Sequence, residues 1–277
     1  MIKKQLIMEK ALELFAENGI EATSIQQITE RCGISKGAFY LSFKSKNELI
    51  IGLIDNFMSE IVADIEQSVN SALVKEKPLY NFYYATFQAF HKHADFVKTF
   101  MKEPSMTSCE QELLERLSKY NEFINAIVFS LVERQFSKVH VSMRADLVFI
   151  IKCFMKHYTE LFFFYSEPID FHALCNSLVE KTTIIAEHAT IPFISTDYLY
   201  FPDSKSLSPK KEQLVSMLSQ KKKEAMDPII QQSLELLKND LVHPQLPPAI
   251  IQGLLKNLRS QSHSKWVAYL YELYLKQ

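Results

Sequence analysis

The sequence predicts an all-α protein with a three-helix head, a long helical body and a helical C-terminal extension. Three observations carry that prediction. Only 5 of 277 residues are Gly, and four of them lie at or before Gly52, so the chain holds few turn formers. Apolar residues recur at steps of three and four, the period of a helix face. No alternating run is long enough to build a sheet.

The first helix is expected over Lys3 to Asn18, where Leu6, Ile7, Ala11, Leu14 and Phe15 share one face. Gly19 can take the left-handed conformation that ends it. Ser24 opens an S-x-x-Q capping box with Gln27 that starts a second helix, from which Ile25 and Ile28 point inward. Gly33, after Cys32, supplies a second left-handed cap. Ile34 fills the turn. Ser35 then caps a short third helix, about Lys36 to Phe43, anchored by Phe39 and Phe43 four residues apart. Ser45 and Glu48 form a further capping box, which starts a fourth helix with Lys46 in its first turn.

Asp and Glu are absent from Arg31 to Asn47, yet Arg31, Lys36, Lys44 and Lys46 all fall there. The third helix opens with Lys36, Gly37 and Ala38, small or basic residues that let a backbone approach base edges. A helix N-terminus also carries partial positive charge suited to phosphate. Tyr40 lies off the buried face, so its hydroxyl can reach a phosphate oxygen. A plain three-helix bundle would also account for Phe39 and Phe43. The acid-free window, the three caps and the small-residue entry together favour a helix-turn-helix made for the DNA major groove.

Prolines mark the later boundaries. The fourth helix runs from Lys46 to about Leu73, long enough to bridge two domains. Pro78 opens a helix to about Met101, and Pro104 closes the gap. Further helices are expected over Ser108 to Gln135, with a weak point near Lys119, over Ser142 to Tyr165, and from Pro168 to Ala189. Ile191 to Ser208, with Pro192 and Pro202, reads as a break. Helical periodicity then returns over Lys210 to Ala225, Pro228 to Asp240, Pro248 to Arg259 and Ser264 to Leu275. The resulting division is a head over 1–46, a body over 47–190, a linker over 191–208 and an extension over 209–277.

The formal net charge is -1, so positive charge is concentrated in the head rather than spread over the chain, as a specific binder requires. Cys32, Cys109, Cys153 and Cys175 form no C-x-x-C and read as reduced residues of a cytoplasmic protein. The N-terminus lacks the apolar run of a signal peptide. The most apolar window, Leu147 to Tyr165, is interrupted by Lys152, Lys156, His157 and Glu160 and is too charged to span a membrane. His91 and His93 point in different directions on a helix and are poorly placed to share a metal. His157 and Glu160 can meet on one face. No Walker loop, zinc spacing or activated nucleophile is present, so neither an enzyme nor a cofactor is expected. The run Lys221 to Lys223 reads as a solvated helix face.

The run GISKGAFYLSFKSKNEL closely resembles the signature of the TetR family, and the likeness extends over about Lys3 to Leu53. The resemblance implies that Ser24, Ser35, Tyr40 and Lys46 contact DNA backbone. It implies that Lys36, Gly37, Ala38 and Leu41 face the major groove, with Lys44 beside them. It further implies a homodimeric regulator, most often a repressor, released from a palindromic operator in double-stranded DNA by a small molecule.

The body carries features that suit those roles. Along Ser142 to Tyr165 apolar residues run nearly all round the helix, which demands neighbours on several sides. In a TetR-like body this helix and the next would form an intersubunit four-helix bundle. Two heads on a two-fold axis would then read half-sites about 34–36 Å apart. Aromatics are dense between Tyr80 and Phe100. Phe87, Phe90, Phe100, Phe123, Phe154, Tyr158 and Phe162 are candidates to wall a pocket for a hydrophobic or amphipathic effector. The same residues could simply pack together. No buried cation for a strongly ionic ligand is evident in the sequence. An effector-independent DNA-binding protein, structural or partner-recruiting, is the rival reading, and an enzyme in the C-terminal half is a weaker one.

Overall fold

The structure, a computed structural model, describes residues 3–70, 77–101, 110–164, 168–194 and 204–276. Cys109, Tyr165 and the middle of the expected linker lie outside the described residues, as does the side chain of Phe96. Every regular element among the described residues is helical. Two compact units are formed, one from Met1–Glu60, Lys98–Leu114 and Ser208–Gln277, the other from Ile61–Val97 and Glu115–Leu207.

The first unit contains α1 (Lys3–Asn18), α2 (Ile25–Cys32), α3 (Lys36–Tyr40) and the first half of α4 (Lys46–Asn70). Ile7, Ala11, Leu14, Phe15, Ile28, Phe39, Phe43 and Leu49 are its buried centre. The third helix is shorter than the sequence suggests. It ends at Tyr40, and the chain turns through Leu41 while Phe43 stays in the core, 2% exposed. Gly52 permits that packing, since a Cβ there would come within 3.2 Å of Phe43 Cε1.

The second unit holds the rest of α4, α5 (Pro78–Lys92), part of α6 (Ala94–Met101), most of α7 (Glu110–Gln135), α8 (Val141–Thr159), α9 (Leu161–Phe164), α10 (Phe171–His188) and α11 (Ser204–Leu207). The expected helix from Pro78 to Met101 is two helices, divided at His93, with Asp95 in the favourable first turn of the second. The helix expected to reach Tyr165 likewise divides at Glu160, whereas α7 is unbroken at Lys119. α5 packs on α8 and α10, and α8 on α10. Tyr83 is fully buried among them, its hydroxyl 2.9 Å from Thr182 Oγ1, and burial pushes the phenol well above its ordinary pKa. Gln135 accepts the N–H of Leu79 at 3.0 Å, tying the end of α7 to the start of α5. Asp146 on α8 accepts the N–H groups of Phe193 and Ile194, anchoring the segment after α10.

The extension follows as α12 (Lys211–Glu224), α13 (Pro228–Val242), α14 (Pro248–Arg259) and α15 (Ser262–Leu275). Asp227 caps α13 through the N–H of Ile229, with Pro228 in the first turn where its missing donor costs nothing. Asp240 accepts the N–H groups of Gln245 and Leu246, which orders the turn into α14. Tyr271 donates to the Leu237 carbonyl at 3.3 Å, and Arg259 pairs with Glu272 at 2.6 Å.

Leu214, Leu218, Leu234, Leu237, Leu255, Leu258, Leu270 and Leu273 recur at helical spacing in the extension, so the sequence predicts that it packs against the body or a partner subunit. It belongs instead to the unit that contains the head. Leu49, Ile50, Ile51, Leu53, Ile54 and Phe57 are buried nearly all round the first half of α4. Val267 to Tyr271 and Leu273 are buried on α15, which packs on α12 and α14. Helices apolar on all sides need neighbours on several sides. Glu224 adds polar linkage. Burial alone would raise its pKa, yet Lys221, Gln220 and the head residue Lys4 hold it below the ordinary carboxylate range.

Candidate nucleic-acid interface

Three Ser caps build the head's exposed edge. Ser24 Oγ accepts the N–H of Gln27 at 3.2 Å, and Gln27 Oε1 accepts the N–H of Ser24 at 2.7 Å. Ser35 Oγ accepts the N–H of Ala38 at 3.2 Å, and Ser45 Oγ that of Glu48 at 3.0 Å. The third box is incomplete, because the Glu48 carboxylate takes the N–H of Lys44 at 2.5 Å instead. Between α2 and α3, Gly33 sits at φ 65°, where a side chain would be strained.

Ser24, Ser35, Lys36, Gly37, Tyr40, Leu41 and Lys44 are all exposed, and Ala38 and Lys46 are half-buried. Leu41 is 90% exposed and Tyr40 51%, large apolar surfaces that the head's own core does not use. Gly37 is the most telling. A Cβ built there would meet only Ser35 Oγ at 3.8 Å, and its φ is negative, so the fold places no demand for Gly. Gly in a helix costs roughly 1 kcal/mol relative to Ala. A small residue that the fold does not need fits a surface that something else must approach closely.

The charges divide differently from the sequence count. Arg31 is held by α1, its two terminal nitrogens 3.2 and 2.9 Å from the Glu17 carboxylate and 3.7 Å from Glu13. The Glu17 hydrogen bond and charge raise the Arg31 pKa, while the same pairing lowers that of Glu17. Lys36, Lys44 and Lys46 remain as the basic groups of this edge. Lys36 Nζ lies 3.3 Å from Gln26 Oε1 on α2, which brings Gln26 to the same surface. Gln26 escaped the sequence reading because an exposed Gln on a helix carries no distinguishing signal. Lys46 Nζ donates to the Glu21 carbonyl at 3.3 Å, beside the start of α2.

The candidate effector residues fall into separate groups. Phe87 and Phe162 meet at 5.8 Å between ring centroids, with Tyr83 stacked on Phe87 and with Phe171 and His91 around Phe162. Phe154 and Tyr158 form an edge-to-face pair at 6.1 Å. Phe87, Phe123 and Phe162 are buried, while Phe90, Phe154 and Tyr158 are half-buried. Phe100 belongs to the first unit, and the other six to the second. The body also holds polar features that the sequence did not reveal. The Thr86 hydroxyl on α5 is buried without a hydrogen-bond partner among the described residues. Lys152 on α8 is drawn towards α7 by Asn121 and Asn125. His157 and Glu160 meet at 3.2 Å on the exposed surface. Among the described residues no group of His, Cys, Asp and Glu has metal-binding geometry, and no helix is long and apolar enough to cross a membrane.

Comparison with known proteins gives consistent likenesses. The family described as bacterial regulatory proteins, tetR family, matches residues 7–53. The chain is 27% identical over 269 residues to the uncharacterised HTH-type transcriptional regulator YerO of Bacillus subtilis, covering 92% of this chain and 89% of that protein. Among solved structures, a TerR/AcrR-family transcriptional regulator from Aquifex aeolicus VF5 aligns with a TM-score of 0.50 at 24% identity, covering 66% of this chain and 98% of that one. FadR from Bacillus subtilis, solved in complex with stearoyl-CoA, aligns with a TM-score of 0.54 at 18% identity, covering 65% and 97%. About a third of this chain therefore has no counterpart in those structures.

Proposed function

We propose that this chain, whose head matches the tetR family of bacterial regulatory proteins over residues 7–53, is a homodimeric repressor released from a palindromic operator by a hydrophobic small molecule. The observation that carries the DNA half is Gly37, exposed at the entry to α3 where the fold itself would accept a larger residue. With Ser24, Ser35, Lys36, Ala38, Tyr40, Leu41, Lys44 and Lys46, it forms a compact edge in which hydroxyls and ammonium groups hold phosphates while α3 enters the groove.

The effector half rests on the aromatic interior of the second unit and on the unpaired Thr86 hydroxyl, which a polar atom on a ligand would satisfy. That the related FadR fold was solved with stearoyl-CoA supports a long apolar ligand. The continuous helix α4 is the coupling element, because it runs from the unit containing the head into the unit containing the aromatics. A hundredfold release of DNA requires about 2.7 kcal/mol of differential effector affinity between the two states.

The test is operator selection from random duplexes, followed by titration of the selected DNA with cell extract. A palindromic consensus, released by a heat-stable low-molecular-weight fraction, is expected. A consensus that no extract fraction releases would favour the effector-independent reading. Failure to select any sequence would remove the DNA assignment.

A further inference from the structure

We propose that Lys152, Asn121 and Asn125 form the seat for the carboxylate of an amphipathic effector held in the helical body. The proposal rests on the effector reading above and names the charged end of that ligand. Lys152 Nζ donates to Asn121 Oδ1 at 2.7 Å and to Asn125 Oδ1 at 2.5 Å. The two Asn residues are one turn apart on α7. Asn125 is only 2% exposed, whereas Asn121 is exposed, so the ammonium sits where the interior meets the surface.

No carboxylate among the described residues forms an ion pair with Lys152. On the same two helices Glu133 pairs with Arg144 at 3.0 Å and Asp146 accepts two backbone N–H groups. A cation taken partly out of water and held only by neutral acceptors is unfavourable, and a well-packed apolar side chain would avoid that penalty. Burial accordingly lowers the Lys152 pKa. Fold stability therefore does not account for this Lys, and recognition of an anion does.

The Asn pair suits the same purpose. An ammonium has three donors, and two are used by the amide oxygens. Turning the exposed Asn121 amide through half a turn exchanges its oxygen for an NH2 group in the same place. Lys152 and Asn121 then become converging donors, able to hold both oxygens of a carboxylate by charge-assisted hydrogen bonds, while Asn125 keeps the ammonium in place. One ammonium matches one carboxylate charge, whereas a phosphate dianion would leave a net charge half-buried. Apolar partners for a tail lie alongside in the sequence, since Phe123 and Ile124 stand between the two Asn residues and Ile151 precedes Lys152, all buried.

The experiment uses the full-length protein with straight-chain fatty acids of about eight to eighteen carbons and the matching primary alcohols, reading both calorimetric affinity and release from the selected operator. At least one acid should bind at least tenfold more tightly than its alcohol. Lys152→Met should bring the acid down to the alcohol while leaving the alcohol unchanged, and Lys152→Arg should keep most of the preference. Operator binding by each variant reports that it is folded. Acids that bind no better than alcohols, or that are indifferent to Lys152→Met, would overturn the anion seat. Release of the operator by alcohols in either case would leave the effector reading standing. If neither class binds, the anion seat falls, and the extract titration alone decides whether an effector exists.

Discussion

The Arg31 guanidinium spans from α2 to α1 to grip both oxygens of Glu17, at 3.2 and 2.9 Å. An Arg neutralised within its own head is a poor phosphate contact. Arg31→Ala should therefore leave the salt slope of operator binding unchanged. Lys36→Ala, Lys44→Ala and Lys46→Ala should each flatten it by about one per head. Fluorescence anisotropy across a series of salt concentrations measures this directly. A slope reduced by Arg31→Ala and untouched by the three Lys variants would reverse the assignment.

Gly37 separates stability from recognition. Because a Cβ has room and φ is negative, Gly37→Ala should stabilise the free protein by roughly 0.5–1 kcal/mol. The same methyl should weaken operator binding, and Gly37→Leu should weaken it much further. Gly33 is the control. At φ 65° its replacement by Ala should destabilise the protein by about 1–2 kcal/mol. Denaturant melts and DNA titrations of the three variants would settle it, and a Gly37→Ala variant that binds DNA like wild type would remove the close-approach argument.

The head was legible in the sequence because its structure is set locally. Ser24, Gly33 and Ser35 each fix a helix end through residues within three or four positions, and such signals survive without knowledge of the rest of the chain. The break at His93 was not legible, since no Pro or Gly marks it. The roles of Arg31 and Lys152 were hidden for a different reason. Whether a basic side chain is free depends on what another helix presents to it, Glu17 on α1 in one case and Asn125 on α7 in the other. The extension shows the same limit. The apolar faces of α12 to α15 were evident, but periodicity cannot say which partner covers them.

The dimer prediction follows from what α8 and α10 leave uncovered. Phe149 is 43% exposed and Ile184 51%, on two helices that already pack against each other. A two-fold pairing of this face would bury them against their own copies. Sedimentation velocity should give a dimer for the wild type and a monomer for the double variant Phe149→Glu, Ile184→Glu. The apolar centre of the head is buried within a single chain, so the monomer should keep its helix content while losing most of its affinity for a palindrome. A wild-type monomer at micromolar concentration would sink the prediction.

The extension should behave as part of the DNA-binding unit. Tyr269, Leu270 and Leu273 on α15 and Ile50, Ile54 and Phe57 on α4 are all buried within one compact unit. Deleting residues 208–277 removes a large part of that unit. At ~1.5–3 kcal/mol for each large side chain returned to water, the head should lose stability and DNA affinity together. Glu224 supplies a gentler probe. Its pKa is lowered in the folded chain, so the unfolded chain binds its proton more readily. Its contribution is therefore complete above the ordinary carboxylate pKa and fades as pH falls through the lower folded value. Glu224→Gln should reduce stability at neutral pH and flatten the acid limb of the stability curve. Limited proteolysis completes the test: wild-type cleavage between α12 and α13 should be slow at pH 7 and faster in the Glu224→Gln variant. A truncated protein that melts and binds its operator like the full chain would show that the extension is a passenger.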